Sequence, residues 1–588
     1  MNPHTFHIPV LGTAFTIDTP IKVARFGISS VISLADDFLI EDMRKVYATK
    51  YSQEYTRIEN NAEDARARRI TSYLNLVNYI VNQQIENLKQ EEFKADTEIT
   101  KYFELLPDGV LKTKYQAMLN ASASDRHKLE EELRGAIRPG RIDVNIMTKL
   151  DRDNYKNRQK LPSEFSDALA GLRGFAQSDL SNACVVFSAG MNPRLYGYAT
   201  EFKDFYPNEE GVIKKGIILK VSDYRSTATQ GKFLAKRGLW VQEYRIESGL
   251  NCGGHAFATA GLLMGPILQE FKDNRDDLQA KLVKIWLKGI DKQKHQAHGL
   301  EPKFGITYQG GLGSAQENKF LCTYYNLEGT GWGTPFMLVP EAITIDDDHL
   351  LKLAKAKTGD VCLSKASPLG VPFWLLKASS SEDERKQRIS ANKSGSPCPQ
   401  GILKFDTEFT EVPICTASRG YQNLKLKQLQ DANLSDEQRA ELIDDVLCKS
   451  CICKDLGGSA QLIYNVVKQV AITVCSGPNI VNFSQTATLQ EMVDFIYGRV
   501  SGLADSDRPH VFLNELNIYI EYFRTEWHRF SIGLLDKKDT YFKEFQQNLL
   551  NGVEYYKNIT ENFMEDTRST FLTRLDALRR EVEHLIPV

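Results

Sequence analysis

LWVQEYRIESGLNCGGHAFATAG, residues 239–261, joins an alternating apolar run to a polar, glycine-rich loop. A strand ends this way when it enters an exposed turn. Gly253 and Gly254 remove two side chains, so the backbone can come close to a flat or anionic ligand while His255 is presented beside it. Histidine changes charge near neutral pH more readily than other side chains, which makes a histidine on such a loop a candidate for proton transfer. A tight turn carrying a hydrogen-bonded surface histidine accounts for the same residues, and this stretch alone leaves both readings open.

Runs of the same kind recur on either side. Ile8-Pro9-Val10-Leu11 reads as a short strand, Thr19-Pro20 as a helix start with Thr19 as cap, Gly27 as its end, and Ile28 to Leu34 as a second strand. Strand, helix, strand in so short a stretch opens a parallel α/β fold, because parallel strands need a crossover. From about 40 to 140 the periodicity turns helical, with Ile70, Tyr73, Leu74, Leu76, Val77, Tyr79, Ile80 and Ile85 on three- and four-residue steps. This predicts a helical insertion. Strand-like runs resume at 141–149, 184–193, 216–223, 239–246, 304–314 and 329–336, with helical stretches such as Thr227 to Arg237 and Asp277 to Leu287 among them. Six or more strands alternating with helices suit either a doubly wound sheet or a closed eight-stranded barrel, and in both the loops after the strands carry the chemistry.

A chain of 588 residues exceeds one ordinary core and suggests two or three domains. The net charge of −3 and the lack of a basic run argue against a nucleic-acid footprint. No apolar run approaches the roughly 20 residues that span a bilayer, and the first residues do not read as a signal segment. The expectation is a cytoplasmic protein. Ten cysteines in so long a chain are no disulfide framework, and in a reducing compartment they read as thiols or metal ligands.

QGGLGS (309–314) directly follows the run Phe304 to Tyr308, and GTGWGTPF (329–336) follows the next. Glycine turns after strands expose N–H groups that cradle phosphate, and barrels often bind phosphate between their last strands. The succession DVNIM, VVFSAGMNP, ILKVSD, ESGLNCGGHAF, YQGGLGS and GTGWGTPFMLVPEA resembles the flavin mononucleotide (FMN) barrels of the nitronate monooxygenases and the FMN-dependent enoyl-acyl-carrier-protein reductases. The resemblance runs over about residues 5–380 outside the insertion, including 353–377 as a closing segment. It implies a (β/α)8 barrel, FMN as cofactor and a small organic substrate. It implies His255 as the catalytic histidine, Gly253 and Gly254 beside the flavin, and Asn145 touching it. Gly310, Gly311, Gly333 and Thr334 would hold the phosphate, and Lys220 or Ser222 would reach the ring edge, where a cation stabilises the reduced flavin. The implied activity is nitronate oxidation. Reduction of an enoyl double bond with NADH or NADPH, or a flavin-binding subunit without turnover, are the alternatives. Three departures stand out: Leu250-Asn251-Cys252 replaces the usual acidic and small residues, Thr334-Pro335-Phe336 lacks the family's arginine, and the chain is much longer.

The added length lies beyond the barrel. Residues 1–380 form the expected barrel, 381–500 a cysteine-rich region and 501–588 a helical one. Ser379 to Ser396 reads as a polar linker. Six of the ten cysteines lie between Cys398 and Cys475, and Cys415, Cys448, Cys451, Cys453 and Cys475 are candidate ligands for an iron–sulfur cluster or a zinc ion. Phe512, Leu513, Leu516, Ile520 and Phe523 form one apolar stripe, and Phe571, Leu572, Leu575, Leu578, Val582 and Leu585 another, expected to pack in a core or to join copies into a homo-oligomer.

Overall fold

The computed structural model describes residues 3–156, 159–562 and 565–586. Eight parallel strands close into a barrel in sequence order: β1 (Phe6–Ile8), β2 (Ser29–Ser33), β3 (Ile142–Ile146), β4 (Ala183–Phe187), β5 (Lys215–Val221), β6 (Val241–Glu247), β7 (Gly305–Gln309) and β8 (Gly329–Gly331). Closure is made by Phe6 against Thr330 and His7 against Gly331, which decides against an open doubly wound sheet. β1 lies earlier than the Ile8 to Leu11 run, since Pro9 has no N–H to give a ladder. Crossover helices include Asp167–Ala176, Tyr224–Ala235, Met264–Lys292 and Ala315–Tyr324. In the short first helix, Thr19–Val23, the capping position falls to Asp18, and Gly27 at φ 79° ends the turn that follows.

The insertion between β2 and β3 is helical as expected, with Asp37–Lys50, Ala65–Gln90, Glu98–Leu105, Val110–Leu119 and Ala123–Ala136. The stripe from Ile70 to Ile85 is buried apart from Leu76, which is half-buried, and Tyr79, which faces solvent. Its helix packs on Asp167–Ala176 at Gly174, where a Cβ would lie 2.8 Å from Ile70 Cβ. The close approach of the two backbones is what requires glycine there.

Inside the barrel the side chains are strongly charged. Glu243 accepts from Arg141 (2.9 Å), Arg245 (2.9 Å) and Thr307 (2.7 Å), and Asp143 accepts from Arg141 and from the Cys184 N–H (both 2.9 Å). Burial alone would raise Glu243, but the two guanidiniums hold it far below the usual carboxylate range.

Beyond the barrel come a helix, Asp347–Ala354, and an antiparallel hairpin of β9 (Val361–Ser364) and β10 (Phe373–Leu376). The expected polar linker is instead the helix Ser380–Ser390, supported by Glu382–Arg385 and Glu384–Arg388 pairs one turn apart. Three long helices finish the chain: Val511–Ser531, Asp539–Ile559 and Glu565–Glu583. The first of the two apolar stripes is buried throughout. In the second, Phe571, Leu575, Val582 and Leu585 are buried and Leu578 half-buried, all within a core continuous with the barrel's. Among the described residues no helix is long and apolar enough to cross a membrane.

Polar contacts made by Arg508 and Glu515 are among those that hold this region to the barrel. Arg508 grips Glu317 with both terminal nitrogens (2.7 and 2.9 Å) and donates further to Gly311 O (2.7 Å) and to Asn479 Oδ1 (2.9 Å). Glu515 accepts from Ser248 Oγ (2.6 Å) and the Met264 N–H (2.9 Å), and burial pushes its carboxyl up to about 7. The folded chain therefore holds that proton more tightly than the unfolded chain. The associated stability is present below about pH 4.5 and is lost as pH rises through 7, up to about 3 kcal/mol. Urea unfolding at pH 5 and pH 8 should show this loss in the native chain and a smaller one in Glu515→Gln; equal losses would mean that Glu515 does not titrate in this range.

Candidate functional site

A narrow cleft, part of it open to solvent, lies at the C-terminal ends of β1, β6, β7 and β8. This is the barrel face on which enzymes of this architecture place their chemistry. Gly310 (φ 130°) and Gly311 (φ 72°) turn the chain after β7 through conformations that side chains disfavour. Gly310, Gly311 and Leu312, and Gly333 and Thr334 after β8, line the cleft, and their N–H groups meet no acceptor among the described residues. Folded proteins pair nearly all such groups, so five unpaired donors along one wall suit an oxygen-rich anion. Two polar atoms near them are buried without a partner as well, Asn251 Nδ2 and Ser476 Oγ.

The glycines expected to face a ligand also serve the protein's own packing. A Cβ on Gly253 would sit 2.6 Å from Cys475 O and 2.8 Å from Gly477 N, and one on Gly311 would sit 2.0 Å from Asn251 Nδ2. Gly254 (φ 74°) donates its N–H to Cys475 O (3.1 Å) and accepts from Trp374 N (2.9 Å). The segment around Cys475 thus lies over the β6 loop and narrows the mouth. Nothing local in GLNCGGH signals a partner more than two hundred positions away.

Charge in the cleft differs from the expectation as well. Lys220, expected at the flavin ring edge, is 2.7 Å from Glu247 Oε1, the oxygen that also accepts from Gln309 Nε2 (2.6 Å). Glu247 lines the cleft, so the wall carries an ion pair there. Arg508 approaches the β7 loop that the resemblance assigns to phosphate, but its charge is taken by Glu317, and the Gly313 N–H also goes to Glu317 (3.0 Å). Cys252 packs with its thiol 3.6 Å from Gln309 O, and burial holds that thiol well above its ordinary range. It is half-buried and lines the cleft. Asn145 is buried on β3, its Oδ1 without a partner, and does not line the cleft.

His255 is half-buried beyond Gly254 and is not among the residues that line the cleft. Its Nε2 lies 2.7 Å from Ser367 Oγ, its ring meets Phe373 edge-on at 5.0 Å, and Nδ1 has no partner among the described residues. Burial, helped by the Lys149 charge, pushes the imidazole down to about 4.

Of the five candidate metal ligands, three meet. Cys415, Cys451 and Cys453 come together with Cys398, which the sequence reading left out although it sits in the similar loop SPCPQG. Cys448 ends the helix Asp436–Leu447 with its thiol 3.4 Å from Asp445 O, and Cys475 packs beneath Gly12. Neither belongs to the group. Asp346, Asp348 and His349 also converge, but Asp346 caps the helix Asp347–Ala354 and holds His349 Nδ1 (2.8 Å), while His349 Nε2 accepts from Ser380 N (3.1 Å). Both imidazole nitrogens are thereby committed to the fold.

No family model matches the chain, and neither does any curated protein. With burial and the Lys149 charge holding its imidazole down to about 4, His255 should remain neutral from pH 5 to 8. NMR of 13C-labelled histidine should place its midpoint near 4, and a midpoint above 6 would show a solvated ring.

Proposed function

We propose that the chain is an FMN-dependent oxidoreductase, acting on a small organic substrate in the manner of the nitronate monooxygenases. The observation that carries the reading is the row of unpaired N–H donors after β7 and β8, where barrels commonly bind phosphate. Gly310, Gly311, Leu312, Gly333 and Thr334 would hold the phosphate, and Asn251 Nδ2 would offer a further donor. Bound there, the flavin would supply the two-electron chemistry. The Lys220–Glu247 pair would set the local field without a net charge. His255, neutral and held through Nε2 by Ser367, would take the substrate proton on Nδ1.

A phosphate site predicts a difference between FMN and riboflavin, which lacks that group. Fluorescence titration should show micromolar or tighter FMN binding, and Thr334→Asp should weaken FMN at least tenfold while leaving riboflavin unchanged. A chain that binds neither flavin removes the proposal.

One observation favours a second reading, a flavin-binding unit without turnover: His255 stands away from the cleft lining. Turnover of alkyl nitronates in air should be detectable, and His255→Ala should lower turnover of the neutral nitroalkane, whose α-proton the imidazole would accept, at least a hundredfold with FMN still bound. Unchanged turnover takes the histidine out of the reaction, and its absence in the native holoprotein favours the second reading.

A further inference from the structure

Cys398 and Cys415 lie in loops set side by side by the Ser396–Ser418 bridge, Cys451 caps the short helix Ile452–Asp455, Cys453 lies within that helix, and all four are buried. Cys398 hydrogen-bonds Cys415, and Cys451 hydrogen-bonds Cys453. The two pairs are close enough for each to act on the other's charge.

The surroundings suit sulfur atoms carrying negative charge. The Gly401 N–H points to Cys398, the Ala417 N–H to Cys415, and the Lys454 N–H and the Ser396 hydroxyl to Cys451. Buried structural thiols need no such donors, whereas hydrogen bonds to sulfur are among the features that tune iron–sulfur clusters. Lys404 and Arg152 add positive charge beside Cys398.

Spacing separates the metal choices. A tetrahedral zinc ion with Zn–S bonds of about 2.3 Å requires all four sulfurs within roughly 4 Å of one another. Among the described residues no three of these sulfurs lie mutually within 4.8 Å. Two close pairs set further apart match a cluster in which each of two irons takes two thiolates.

We propose that these four cysteines bind a [2Fe–2S] cluster, Cys398 and Cys415 on one iron, Cys451 and Cys453 on the other. The loops that carry them are anchored to the barrel face: Gln400 Nε2 bonds Asp36 Oδ2 after β2 (2.9 Å), and Arg152 after β3 bonds Gly401 O. Thr416, next to Cys415, bonds Pro368 O (3.1 Å), and the neighbouring Ser367 holds His255. The cluster thus sits one hydrogen-bonded step behind the histidine's support. The assignment does not depend on the flavin reading.

The full chain, purified without oxygen and reconstituted with ferrous iron and sulfide, should carry two irons and two acid-labile sulfides and give an EPR signal after dithionite reduction. Cys453→Ser should lose the iron, while Cys448→Ser and Cys475→Ser should keep it. Zinc in place of iron, four irons per chain, or no metal after reconstitution would overturn the proposal. If Cys453→Ser proves insoluble, the stoichiometry of the native chain decides. Iron and sulfide analysis is blind to flavin, so this result and the FMN titration fail independently.

Discussion

A carboxylate sealed inside a closed barrel has to be met by cations and donors, and Glu243 is met by two guanidiniums and a hydroxyl. Arg141 adjoins the start of β3, Arg245 shares β6 with Glu243, and Thr307 comes from β7. Asp143 extends the cage to β4 through the Cys184 N–H. Removing either arginine would leave a charge buried without its full set of partners, which costs more than the intact pair contributes. The cage also fixes the state of its neighbour His7, held well below its ordinary range by burial and by Arg245. Packed in this way, the barrel interior is a charged core, and open space is left at the C-terminal mouth.

At that mouth the C-terminal region shapes the cleft. Gly253 admits the backbone of Cys475 to Gly477, Gly477 in turn lies against Thr334, and Arg508 clasps the β7 turn while satisfying Glu317. What remains between them is a wall of main-chain donors and the Lys220–Glu247 pair. The same region brings four thiols together over the loops after β2 and β3. Cleft and thiol group therefore share one support, the layer of chain between residues 365 and 480 that covers the barrel's C-terminal face.

Much of this is legible in local sequence. Short apolar or alternating runs placed the eight barrel strands within a few residues, and the helical periodicity of 40–140 marked the insertion, because both signals arise from neighbours along the chain. The glycine turns after β7 and β8 and the loop bearing His255 were legible as strand-end elements for the same reason. Local reading failed at Ser379 to Ser396, where polarity suggested a linker. Ion pairs one turn apart, and Ser379 and Ser380 bonded to the 472–474 segment, make a helix there.

Sequence by itself determined the period of each element, the order of strands and helices, and which loops carry glycine, histidine and cysteine. Tertiary structure alone decided that Cys398 replaces Cys448 and Cys475 in the thiol group, that Lys220 is neutralised by Glu247, and that Arg508 reaches a turn nearly two hundred residues earlier. Backbone periodicity is set by steps of two to four residues and is written into every short window. Which charges and thiols finally meet depends on how distant surfaces pack, and no window of sequence contains both partners.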